Sequence, residues 1–181
     1  LGLGRVRDSQ VGSVCERVVR RAKQDVLVVK HLPNADSAAR DTILVGIDGS
    51  PQSFAGLVAG FSLSKVLGAQ TRETQAVAVY DPYLHYTVFN GIVEVLSEKA
   101  SKIFRFKDQE QLHEDIIDTG LAKIYQSHLD VAHHIAKERG ETLQVSLKDG
   151  KAFEKVYGLV LQVQPALLIT GRVGVHNGDL D

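Results

Sequence analysis

The sequence holds one cysteine, no methionine and no tryptophan, and its unbroken apolar stretches, such as Val26–Val29 and Ala166–Ile169, run only a few residues. Cys15 alone can form neither an internal disulfide nor a cysteine-based metal site. Stretches this short exclude a bilayer-spanning helix, and no signal-peptide pattern opens the chain, so a cytoplasmic protein is expected. Neither sign of charge prevails. Twenty-one Lys and Arg stand against 22 Asp and Glu, a net charge of −1, and they are scattered, with no basic stripe. That argues against a nucleic-acid footprint. A chain that opens on Leu1 and has no methionine is expected to be processed or excerpted.

What is present is an ordinary globular composition: 181 residues, 44% apolar and 24% charged, enough for one compact α/β domain or slightly more. Disordered and collagen-like chains are excluded. Short β-branched runs bounded by turn residues predict strands at Asp25–Val29, Thr42–Ile47, Gln75–Tyr80, Thr142–Leu147 and Pro165–Thr170. Several are apolar on both faces, as strands of a helix-covered parallel sheet must be. Between them, apolar residues at helical spacing predict helices over Ser13–Lys23, Pro51–Leu67 and Lys151–Gln164. This alternation is the pattern of right-handed crossovers in an open, doubly wound sheet. The aperiodic segment His31–Asp41 predicts a linker and a domain boundary. From about Thr87 to Arg139 no strand signal occurs, a span far longer than an ordinary crossover. It predicts a helix over Val88–Lys102 and then one or two long helices over Gln109–Arg139, with Gly120 as a possible break.

Three places could carry chemistry. Asp48-Gly49-Ser50-Pro51 follows the strand Thr42–Ile47, at the end of an open sheet where ligands bind. Ser50 suits a helix N-cap and Pro51 the first helical position, so a plain turn and cap is an equal reading. Gly171-Arg172-Val173-Gly174 follows the last strand, where glycines let backbone N–H groups approach phosphate oxygens. It is neither a Walker A loop nor the dinucleotide Gly-x-Gly-x-x-Gly. At the other end, Gly2 is separated by nine residues from Gly12-Ser13, and Ser13 with Glu16 spells a capping box. A helix start of this kind can seat a phosphate. No His-x-x-x-His pair marks a metal site on the helical stretch, and no Ser-His-Asp set or paired acids stand out as a catalytic unit.

Together these pieces resemble the universal stress protein family. Its members have a strand ending in a turn like Gly46-Ile47-Asp48-Gly49-Ser50, and they close on Gly-x-x-Gly, nine residues, then Gly-Ser or Gly-Thr, a helix and a last strand. Residues 42–80 look like the opening β-α-β of such a domain and 142–174 like its later one, so the likeness covers about two thirds of the chain. It implies a three-layer α/β fold with an open, parallel, five-stranded sheet of the adenine nucleotide alpha-hydrolase-like type; the strand-free span, about 87–139, lies outside the likeness and reads as a long helical insertion after the second strand. The signature's tail precedes its head here. Residues 1–30 then look like the end of a first repeat, 31–41 a linker, and 42–181 a second repeat, while Asp25–Val29 could alternatively dock as the fifth strand.

The resemblance further implies an adenine nucleotide, ATP or AMP with Mg as an optional companion, held by Asp48, Val79, Gly171 and Gly174. Gly2, Gly12 and Ser13 would serve the first repeat's site. The expected role is regulatory nucleotide binding in a stress response, by a homodimer or an intramolecular pseudo-dimer. Catalysis is expected to be absent, or at most weak ATP hydrolysis, because no base is placed for it. The rival expectation is a scaffold that binds no nucleotide and acts through protein contacts.

Overall fold

A computed structural model describes residues 12–29, 40–66, 73–82, 106–172 and 174. The chain divides into two units, Leu1–Ala39 and Arg40–Asp181.

In the first unit, helix α1 spans Ser13–Arg21. The expected capping box does not form: Gly12 is the N-cap, with extended backbone (φ −71°, ψ 151°), and no side chain caps the helix. The helix starts one residue earlier than a Ser13 cap requires, so Ser13 and Glu16 are out of the cap and third-residue positions that reach each other. Glu16 pairs instead with Arg20 at 2.9 Å, one turn on and well exposed, which adds little stability. Val26 to Val29 are exposed and Asp25–Val29 forms no strand. A β-branched run becomes a strand only when its backbone finds a partner. The sheet has four strands among the described residues where five are expected, and Asp25–Val29, having no strand, is not one of them.

The second unit contains β1 (Thr42–Gly46), α2 (Pro51–Val66), β2 (Glu73–Tyr80), α3 (Phe106–Glu138), β3 (Leu143–Asp149), α4 (Ala152–Val163) and β4 (Leu167–Ile169). All strand pairs are parallel, in the order β3-β2-β1-β4. The steps β1 to β2 and β2 to β3 run in one direction across the sheet, so right-handed crossovers put α2 and α3 on one face. The step from β3 to β4 runs back and puts α4 on the other. The core agrees with this layering. Ile43, Val45 and Ile47 of β1 and its extension cluster with Leu57 and Phe61 of α2 and Leu129, Ala132 and Ala136 of α3. Leu44 and Val77, on alternate positions, are buried as well. Burial on both faces is why β1 reads as an uninterrupted apolar run.

Two glycines let α2 lie close to the sheet. A Cβ on Gly56 would stand 3.0 Å from Ile169 Cγ2, and one on Gly60 3.3 Å from Ile169 Cδ1. Helix α3 runs through Gly120 without a break, 33 residues in all, which decides between one long helix and two. The expected helix over Val88–Lys102 lies outside the described residues. One face of α3 anchors it in its C-terminal half: Leu129, Ala132 and Ala136 are at most 2% exposed, whereas Ile124 and Val131, off that face, are 52% and 47% exposed.

Candidate functional site

The chain leaves β1 toward β2 and β3 but returns to place β4 on the opposite side of β1. The carboxyl ends of β1 and β4 therefore flank the switch point of the sheet, where open α/β folds have their crevice. Ile47-Asp48-Gly49-Ser50 leads out of β1 there and into α2.

The turn is built by its own side chains. Asp48 Oδ1 accepts the Ser50 backbone N–H at 2.9 Å and the Ser50 hydroxyl at 2.6 Å. Ser50 Oγ in turn accepts the Ser53 N–H at 3.1 Å, while the Ser53 hydroxyl donates to the Ser50 carbonyl at 2.8 Å. Ser50 is thus the N-cap and Pro51 the first helical residue, as the sequence predicts. One carboxylate oxygen of Asp48 is committed to this cap. Replacing Ser50, which is 4% exposed, by Ala is expected to cost about 1–2 kcal/mol through the lost cap and the lost donor to Asp48. Urea denaturation would show it as a lower midpoint with an unchanged slope, and an unchanged midpoint would contradict it.

The other oxygen of Asp48 faces the segment after β4: a Cβ on Gly174 would lie 3.3 Å from Asp48 Oδ2. Residues 126 positions apart in sequence therefore meet at the switch point. Gly171 stands exposed two residues beyond β4. Val79, half-buried, is the next-to-last residue of β2 and pairs with Lys148. The ladder matches Gly46 with Val77, and the Ile47 N–H donates to the Val77 carbonyl at 2.8 Å, so Val79 reaches the same end of the sheet as Asp48. Gly12 and Ser13 belong to the first unit, and Gly2 lies outside the described residues.

Two residues at this end of the fold were not among the sequence candidates. Gly49 has φ +86°, and a Cβ on it would stand 2.5 Å from Nε2 and 2.7 Å from Nδ1 of His128, so α3 closes down on the turn. His128 Nδ1 is buried with no hydrogen-bond partner among the described residues. One turn earlier on α3, the Tyr125 ring lies 5.4 Å from His128 and 6.2 Å from Tyr80, centroid to centroid. Burial pushes the Tyr125 hydroxyl above its ordinary value, and the negative charge of Asp48 pushes it further. In sequence, Tyr125 reads as one more apolar position of a long helix. The signal available was spacing: positions 125, 128, 129, 132 and 136 form one stripe, and its polar aromatic end lies a turn before the buried Leu129.

No group of three or more His, Cys, Asp or Glu is gathered for a metal ion among the described residues. None of their helices is long and apolar enough to cross a membrane.

No protein-family model matches the chain, and no curated protein matches it. Among solved structures it is similar in fold to universal stress proteins. A protein of that family from Burkholderia pseudomallei is 17% identical, with a TM-score of 0.49, over 73% of this chain and 81% of that one. A universal stress protein in complex with cAMP is 19% identical (TM-score 0.47; 77% of this chain, 81% of that one). The universal stress protein UspA from Lactobacillus plantarum is 14% identical (TM-score 0.46; 80% of this chain, 86% of that one).

Proposed function

We propose that this chain is a universal stress protein that binds an adenine nucleotide, ATP or AMP, as a regulatory ligand. The observation that carries this reading is the meeting of Asp48, after β1, with Gly174, after β4, at the switch point of a parallel sheet. A carboxylate suits the hydroxyls and amines of a nucleoside, and a glycine segment gives phosphate oxygens access to backbone N–H groups. In this reading Asp48 and Val79 hold the nucleoside, Gly171 and Gly174 hold the phosphates, and Mg accompanies ATP. Gly2, Gly12 and Ser13 belong to the site of a preceding repeat, and the protein acts as a homodimer or an intramolecular pseudo-dimer of repeats.

Titration of the purified chain with ATP, AMP and cAMP, alongside Asp48→Asn, tests this. The Asn variant can still accept the Ser50 N–H, so it keeps the turn while losing the charge. Its affinity for the favoured nucleotide is expected to fall about 10–100-fold, the worth of a hydrogen bond to a charged group. Equal affinity in parent and variant would remove Asp48 from the site. A parent that binds none of the three would favour the scaffold reading, for which the exposed apolar stripe of Phe153, Tyr157 and Leu161 on α4 offers a contact surface.

A further inference from the structure

The switch point has a neighbour that neither strand end supplies. Helix α3 seats His128 against Gly49, the middle residue of the turn that presents Asp48, at a separation that leaves no room for a Cβ. The ring nitrogen Nδ1 is withdrawn from water and has no partner among the described residues. A buried nitrogen without a partner disfavours the folded protein, and an apolar side chain in the same place would avoid that cost. A costly polar group kept against the turn that carries Asp48 is the kind of local conflict that marks a functional position. The neighbouring Tyr125 ring, 5.4 Å away and tilted by 57°, packs against the imidazole and fixes its place.

We propose that His128 is a specificity residue that hydrogen-bonds, through a ring nitrogen, the base of a nucleotide bound beside Asp48 and Gly174. This rests on the nucleotide-binding reading above and adds to it the group that selects the base. The imidazole presents a donor or an acceptor at a fixed place, so it discriminates between bases whose edges carry different groups there. Gly49 is then required twice, once by its own backbone and once by the ring that covers it.

The test compares His128→Phe and His128→Leu with the parent chain for thermal stability and for affinity toward ATP and CTP. Phe fills the ring's place without a nitrogen. Leu serves if Phe does not fit. The expected result is a variant at least as stable as the parent whose ATP affinity falls about tenfold and whose ATP-to-CTP affinity ratio moves toward one. A purely structural role would leave that ratio unchanged. Parent-like ATP affinity and an unchanged ratio in the folded variant overturn the role of His128 while leaving nucleotide binding intact. A parent that binds none of ATP, AMP, cAMP and CTP overturns both.

Discussion

Gly49→Ala is expected to lower the thermal midpoint by about 10 °C, the sum of two separable effects. The backbone at Gly49 sits at φ +86°, which an L side chain adopts at a cost of about 1–2 kcal/mol. The new methyl would also stand 2.5–2.7 Å from the His128 ring nitrogens, and overpacking of that kind costs about 1–3 kcal/mol. At roughly 2–4 °C per kcal/mol for a unit of this size, these give the stated shift. The double variant Gly49→Ala with His128→Ala separates the two effects. Removing the ring relieves the overlap and leaves the backbone strain, so His128→Ala should be milder when Gly49→Ala is already present than in the parent. A shift below about 2 °C for Gly49→Ala alone would show that α3 does not rest on the turn.

The second large effect concerns α3 itself. Leu129 is 1% exposed and belongs to the cluster that joins α3 to β1 and α2, so Leu129→Ala should cost about 2–5 kcal/mol. Ile124, on the same helix but 52% exposed, should change stability by no more than about 0.5 kcal/mol when replaced by Ala. Urea denaturation of both variants checks the contrast. Equal losses would mean that the helix is not held mainly through the face of Leu129, Ala132 and Ala136. The position of His128 and Tyr125 depends on this anchor, because both lie within about a turn of Leu129.

Much of the second unit was legible in the sequence because its signals are local. The Thr42–Gly46 run, the Ser50-Pro51 helix start and the periodicity of the long helix each follow from a few adjacent residues. Asp25–Val29 has the same β-branched character as β1 and forms no strand, because strand formation depends on a neighbour that no local pattern specifies. Ser13 fails as a cap for a similar reason. Its match to the capping box leaves open which residue adopts extended backbone, and here Gly12 does.

The candidate site divides along the same line. Adjacent residues set the turn: Ser50 donates both its backbone N–H and its hydroxyl to Asp48, two positions back. What the turn faces depends on residues far off in the chain. Strand order brings Gly174 to one carboxylate oxygen of Asp48, and the packing of α3 on the sheet brings His128 onto Gly49. Contacts between residues so far apart in the chain are set by crossover handedness and core packing, which are properties of the assembled fold.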